Sequence, residues 1–456
     1  MKTLITKLNV RKDENSFMET KNLALSFQWH ITSNCLNRCK HCYMFDENYV
    51  AEDCTYDDFC LMLSNIEDFC HKYFVEVSYF TLTGGSPFMN PDCEKILKLL
   101  HLKSKFITLL DIPEMVNDKN IELMHSYNIK NYQVSLDGLK ETHDSIRGKG
   151  SFDKTIEACK KLYNAKIRPT IMFTLSKDNY YQLISLCEYL VKNLDEFSFS
   201  YDFVVPIGNA GHVKNYISTE QVKGILDEYY VFSQKNSNEK QHFSLKPSEY
   251  RVYKYSKNNE PIKTVYQYPM ISGCHIGWDG VSVLQNGDVL PCRRLPIVIG
   301  NLKKDSFEDI FLKSDLLRKF RRYPQYLEQC GTCQYGAACR GCPAISYGLT
   351  GDCFKPFELC THKPTSEYFP KYKAPDLDCS NEEEMKFIES SMRNFALLNQ
   401  EKLFTMFPNI IKIFRRLKKC KSKEDRLFIL SQHEDSLGID EIFILEQLMG
   451  IPLNDI

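Results

Sequence analysis

Apolar positions along the chain repeat with two periods that alternate from segment to segment. Between residues 24 and 31, Leu25, Phe27, Trp29 and Ile31 alternate with Ser26, Gln28 and His30, the period of two expected of a strand. Strand-like segments recur at 75–83, 106–111, 131–136, 168–175 and 197–204. Between them the spacing becomes that of amphipathic helices. Segment 56–73 opens behind Thr55 with Asp58 three residues on, and 153–165 opens behind Ser151; a hydroxyl at either place satisfies free amides of a first turn. Strands alternating with helices predict parallel pairing through right-handed crossovers. Six such units predict an α/β fold, a partial (β/α)6 barrel of TIM type, with chemistry at the C-terminal ends of its strands.

The pattern loosens after residue 233. Residues 234–273 are rich in Lys, Asn and Tyr and read as a linker that partly packs on the barrel. Its Tyr250, Tyr253, Tyr255, Tyr266 and Tyr268 either line a channel for an extended substrate or form a core-edge aromatic stretch. Residues 281–290 read as a β-hairpin in which Asn286-Gly287 supplies the positive backbone angles of a tight turn. Beyond Cys360 a proline-containing loop leads into helical patterns from Asn381 to about Leu448. A basic run there (Lys412, Arg415, Arg416, Lys418, Lys419, Lys421 and Lys423) is a solvated helix face or a dock for an acidic peptide. The expected organisation is an N-terminal segment 1–23, a barrel 24–233, a linker 234–273, a cysteine-rich domain 274–362 and a helical extension 363–456.

Composition narrows the setting. The chain has 456 residues, a formal net charge of -1 and nineteen cysteines. A chain of this length buries a full core without disulfide staples, and charge interrupts its first twenty residues, unlike a secretory signal. A reducing cytoplasm is therefore expected. The near-zero charge gives no reason to expect nucleic-acid binding, and no apolar run approaches the roughly 20 residues of a membrane span. Eight cysteines, Cys54, Cys60, Cys70, Cys93, Cys159, Cys187, Cys379 and Cys420, fall outside any motif and read mostly as small buried hydrophobes.

The other cysteines form two sets. Cys35, Cys39 and Cys42 offer three thiols from one short loop, whereas a four-iron cubane normally takes four thiolates. One iron would stay open for a small molecule, as in catalytic metal sites. A zinc loop or ordinary buried thiols are the alternatives. The second set is Cys274, twelve residues, Gly287, four residues and Cys292; then Cys330, Cys333, Cys339 and Cys342; then Cys353 and Cys360. A zinc ribbon is the alternative there.

The first set resembles the signature of the radical S-adenosylmethionine (SAM) superfamily, Cys-x3-Cys-x2-Cys after the first barrel strand. Two further stretches match in order. Gly84-Gly85-Ser86-Pro87 resembles the family's Gly-Gly-acid-Pro segment, with Ser86 in place of the acid, and Val134-Ser135-Leu136-Asp137-Gly138 with Arg147 resembles a segment that approaches the SAM ribose and carboxylate. The resemblance implies SAM contacts at Gly84, Gly85, Ser86, Ser135, Asp137 and Arg147, with His41 where the family places an aromatic group beside adenine. It also implies a [4Fe-4S] cluster on Cys35, Cys39 and Cys42, reductive cleavage of SAM and a 5′-deoxyadenosyl radical that takes hydrogen from unactivated carbon.

The second set resembles the SPASM domain, which carries two auxiliary iron-sulfur clusters, expected as [4Fe-4S]. By that resemblance Cys330, Cys333, Cys339 and Cys360 hold the outer cluster and Cys274, Cys292 and Cys342 the inner one, with Cys353 or a substrate thiolate as its fourth ligand. A peptide or protein substrate is implied, with thioether or carbon-carbon crosslinking of a ribosomally made peptide as the leading expectation. A sulfatase-maturase-like oxidase, a cofactor-pathway enzyme acting on a peptide or tetrapyrrole, and a non-catalytic iron-sulfur or zinc protein are the alternatives. An electron donor such as flavodoxin or ferredoxin is implied too. With about 23 residues before the first strand, no leader-binding winged helix is expected at the N-terminus, and a separate leader-binding protein or the helical tail is expected to serve instead.

Overall fold

Six parallel strands follow the sequence pattern closely: β1 (Ala24–Thr32), β2 (Glu76–Gly84), β3 (Phe106–Leu110), β4 (Asn131–Ser135), β5 (Arg168–Leu175) and β6 (Phe197–Phe203), paired in that order. The computed structural model describes residues 24–45, 49–103, 105–212, 216–244, 269, 273–322, 326, 328–331, 333, 335–356, 358–362, 372–392, 413–414, 416–417, 419–420 and 422–433. The expectations for segment 1–23, the five linker tyrosines, Lys412, Arg415, Lys418, Lys421 and most of the C-terminal helical pattern lie outside these residues. Ala24–Ser391 form one compact unit, and the described residues from Met392 onward belong to another.

Helices cover the strands as their apolar stripes require. Helix α1 (Tyr56–Tyr73) starts where Thr55 Oγ1 accepts the Asp58 amide at 3.1 Å, and it buries Phe59, Met62, Ile66 and Phe69. Phe59 lies against Trp29, ring centroids 4.4 Å apart. Full burial of each such side chain stabilises the fold by about 1.5–3 kcal/mol. The helix expected at 153–165 behind Ser151 begins two residues earlier: α2 (Ser151–Asn164) follows Gly150, whose φ is 82°. Ser151 is therefore no cap; it sits in the first turn, with Oγ 3.1 Å from His143 Nε2.

The sheet continues past both edges of the six-strand set. On one side β7 (Gln241–Phe243) pairs parallel with β6, so the expected linker contributes a strand. On the other, β8 (Gly280–Val283) pairs parallel with β1, and β9 (Asp288–Leu290) and β10 (Gly300–Asn301) extend it antiparallel. A Cβ on Gly280 would stand 2.1 Å from the Ser26 carbonyl oxygen, so glycine admits this close pairing. The β8–β9 connection differs from the expected turn. Only Gly287 has positive φ, 92°, and its amide donates to the Leu284 carbonyl at 2.9 Å. This is a longer turn closed by a left-handed glycine, with Asn286 Oδ1 accepting the Asp288 amide at 3.0 Å.

The cysteine-rich region is bound to the barrel by packing, and to the segment that follows it by buried charge. Phe307 sits 5.5 Å from Phe27 and 5.1 Å from Phe69, centroid to centroid. Arg321 and Arg322 are buried with Glu384, at 3.0 and 2.5 Å, and Arg321 also donates to the carbonyls of Gly277 and Phe311. Residues up to Ser391 thus belong to the barrel unit, and the expected break at residue 363 is not a division of the packing. No helix among the described residues is long and apolar enough to cross a membrane.

Candidate active site

The three-cysteine loop leaves β1 and is pinned at once to the end of β2. Thr32 O accepts the Gly85 amide at 2.9 Å and Asn34 O accepts the Ser86 amide at 2.7 Å. A Cβ on Gly84 or Gly85 would stand 2.0 Å from the Thr32 or Asn34 oxygen, and Gly84 has a φ of +124°. The glycine pair is thus required by the approach of two chain segments, a need the sequence reading had placed at the ligand. The far end of the loop is held from the segments that follow β4 and β6: Lys40 N donates to Ile146 O at 3.0 Å, and Asn209 donates to the carbonyls of Cys42 and Cys39.

One cavity at the C-terminal ends of the strands collects most of the expected residues. Cys35, Cys39, Cys42, His41, Gly84, Gly85, Ser135 and Arg147 all line it. Burial pushes the Cys35 thiol up to about 11 and raises Cys42 as well, so a metal cation would compete with protons for these thiolates.

Two expected cofactor contacts do not line the cavity. Asp137 is fully buried and does not line the cavity. Its Oδ1 accepts the Thr174 amide at 2.7 Å, and its Oδ2 receives Arg147 Nε and lies 3.3 Å from His41 Nε2. Burial alone would raise its pKa, but the charges of Arg147 and His41 hold it well below the usual carboxylate range. Asp137 therefore aims Arg147 and His41; Arg147 in turn reaches Cys39 Sγ at 3.5 Å. Ser86 is fully buried too and does not line the cavity. Behind Asp137, His143 Nδ1 accepts the Asp137 amide at 2.9 Å, and burial lowers its pKa to about 4.

Sequence reading missed four charged cavity residues, Asp111, Asp202, Arg293 and Arg294. Asp111, directly after β3, is buried beside Cys35; its oxygens accept the Ile112 and Phe88 amides at 2.7 and 3.3 Å, and burial raises its pKa to about 7. Its place just past a strand's C-terminal end was the available signal. Arg293 and Arg294 also line the cavity, and their position directly after Cys292 could have drawn notice. Arg294 Nη2 pairs with Asp202 Oδ2 at 2.8 Å. The Arg293 guanidinium lies 5.9 Å from the Tyr43 ring centroid.

The second cysteine set divides by neighbourhood. Cys274 and Cys292 act on each other electrostatically, as do Cys274 and Cys342, and the Cys274 amide donates to Cys339 O at 3.3 Å. Cys330 and Cys333 are neighbours, the Cys333 amide donating a hydrogen bond to the Cys330 carbonyl at 3.4 Å. Cys360 Sγ accepts the His362 amide, and the His362 ring lies 4.8 Å from Tyr335. Cys353 stands apart: the charges acting on its buried thiol are those of Asp352 and Lys319, with no cysteine among them. Its expected place on the inner cluster is not supported by its surroundings.

Among the described residues, no three His, Cys, Asp or Glu side chains stand in preformed metal-binding geometry. The donor chemistry nonetheless suits iron: three thiols share one cavity wall, and thiolates are the usual cluster ligands. Comparison with known proteins agrees. The Radical SAM superfamily model matches residues 29–190, and the SPASM model, an iron-sulfur cluster-binding domain, matches 274–334. The chain carries a radical SAM domain and a SPASM domain. It is 27% identical to an AdoMet-dependent heme synthase of Methanosarcina barkeri, over 74% of this chain and 96% of that protein. It is 26% identical to the antilisterial bacteriocin subtilosin biosynthesis protein AlbA of Bacillus subtilis, over 70% of this chain and 67% of that protein. In fold it is similar to Streptococcus suis SuiB, whose crystal structure was determined with the precursor peptide SuiA: TM-score 0.58 at 16% identity, covering 79% of this chain and 80% of that one.

Proposed function

We propose that this radical SAM enzyme modifies a ribosomally made peptide by hydrogen abstraction, forming a thioether or carbon-carbon crosslink. The observation that carries the reading is a shared wall: the Cys35, Cys39 and Cys42 loop and Arg293, one residue past Cys292, line the same cavity. Cys35, Cys39 and Cys42 would hold a [4Fe-4S] cluster, with Gly84, Gly85, Ser135, His41 and Arg147 around SAM. When bound, cluster and SAM supply a 5′-deoxyadenosyl radical able to attack unactivated carbon. Cys274, Cys292 and Cys342, and Cys330, Cys333, Cys339 and Cys360, would hold two auxiliary clusters that accept the electron a net oxidation releases. Asp137 keeps Arg147 and His41 fixed, and the Tyr43 and Phe45 rings line the same cavity.

The AlbA relative and the SuiB-like fold support a peptide substrate. The nineteen free cysteines support a reducing compartment and a reduced flavodoxin or ferredoxin as donor. The heme synthase relatives favour a second reading, oxidation of a tetrapyrrole heme precursor. Both are tested by anaerobic incubation of the reconstituted protein with SAM and dithionite, followed by mass spectrometry. Formation of 5′-deoxyadenosine with loss of two hydrogens from a short peptide encoded beside the gene supports the first reading. Modification of the heme precursor alone supports the second. Metal retention without 5′-deoxyadenosine would leave only a binding scaffold.

A further inference from the structure

Arg293 differs from every other arginine at the cavity in what it touches. Arg147 is held by Asp137, and Arg294 by Asp202 and the Phe203 carbonyl. Among the described residues no carboxylate or carbonyl receives a hydrogen bond from Arg293; its contact is the Tyr43 ring. A guanidinium carries five N–H donors in a planar fork suited to a carboxylate. Arg293 is half-buried, lines the cavity and lowers the pKa of buried His30 after burial itself. Its charge is therefore felt inside the barrel.

Its position separates it from the proposed cofactor contacts. Gly84, Gly85 and Ser135 lie at the ends of β2 and β4, whereas Arg293 follows β9 and neighbours Arg294, which is tied to the end of β6. The SAM side of the cavity has its own guanidinium in Arg147, beside Cys39 and His41. We propose that Arg293 forms an anion-binding subsite for the substrate, receiving a carboxylate of the peptide next to the carbon to be attacked. The site then selects an acidic side chain, and the cysteine-rich domain helps choose the substrate as well as carrying clusters. This rests on the peptide reading above.

The test uses the anaerobically reconstituted full chain, immobilised, with two synthetic decapeptide libraries that differ only in a fixed central Glu or Gln. Wild type is expected to retain the Glu library at least about tenfold better, the worth of one charge-assisted contact. Arg293→Gln should abolish that preference and Arg293→Lys keep part of it, while equilibrium dialysis shows SAM affinity unchanged within about twofold in both. Equal retention of the two libraries by wild type would overturn the proposal. So would a Glu preference that survives in Arg293→Gln. A loss of SAM affinity with the Glu preference intact would assign the arginine to the cofactor's carboxylate instead. Melting temperature and iron content are measured alongside; if Arg293→Gln fails to fold, the proposal stands or falls on whether Arg293→Lys retains part of the preference. Absence of SAM-dependent 5′-deoxyadenosine in wild type would separately reject the enzyme reading without bearing on the anion preference.

Discussion

Arg294 and Asp202 join opposite flanks of the sheet, with Nη2 and Oδ2 2.8 Å apart. Asp202 lies in the last turn of pairing of β6, while Arg294 follows β9, which reaches β1 through β8. The same arginine donates to the Phe203 carbonyl at 3.2 Å. The pair thus spans the gap that a six-strand barrel leaves open. Both side chains retain some exposure, 20% and 26%, so the pair is worth less than a buried one. Asp202→Asn is expected to lower stability by about 1–2 kcal/mol, read as a shift in denaturation midpoint. An unchanged midpoint would mean that packing, as at Phe307, closes the barrel unaided.

Glu384 stands between two buried arginines and predicts a larger loss. Burial lowers the Arg321 pKa to about 10, while burial raises and the two guanidinium charges more than offset the pKa of Glu384. Removing the carboxylate leaves two buried cations facing each other. Glu384→Ala should cost about 3–5 kcal/mol, measured by urea denaturation. A loss below about 1 kcal/mol would show that water enters the site and solvates the arginines.

Asp137 predicts a functional loss without a ligand contact of its own. Asp137→Asn keeps an acceptor for the Thr174 amide but removes the charge that orients Arg147 and His41. SAM affinity in equilibrium dialysis is expected to fall by about tenfold or more, the worth of one charge-assisted hydrogen bond. Its folded pKa is depressed, so its contribution to stability is present above about pH 4, the ordinary value for an aspartate, and is lost as pH falls toward the lowered value. Acid titrations of the wild type and Asp137→Asn should therefore converge only below about pH 4. Convergence already complete at about pH 4 would contradict the ion pair with Arg147.

What the sequence made legible follows the range of the interactions. Strands β1 to β6 are visible because Leu25, Phe27 and Trp29, and their counterparts, repeat locally. The cysteine loop and Gly84-Gly85 are visible because their spacing is short. The pairing of β8 with β1 joins Ser26 to Gly280, and no local period encodes a partner that distant. The strand at Gln241–Phe243 was hidden because three residues are too few to show alternation. Asp137 was legible as part of a motif but not as a positioning group, since only the fold reveals that both its oxygens are taken. Asp111 was missed because a lone acid after an apolar strand is silent until the cavity around it is known.

That lone acid carries the last prediction. Asp111 is buried without a cation within bonding reach among the described residues, and burial raises its pKa to about 7. The folded protein then holds a proton that the unfolded chain releases near pH 4. Stability attributable to this group is fully present below about pH 4 and is lost as pH rises through about 7, by up to about 4 kcal/mol. Asp111→Asn, neutral at every pH, removes that dependence. In urea denaturation without SAM the variant should match wild type near pH 4, exceed it in stability at pH 8, and show a flatter profile between. Parallel profiles would mean that the carboxylate is already neutralised, by water entering the cavity or by a cation held there. Either result says what the cavity wall beside Cys35 offers an arriving ligand: a carboxylate whose burial is costly until a positive charge meets it.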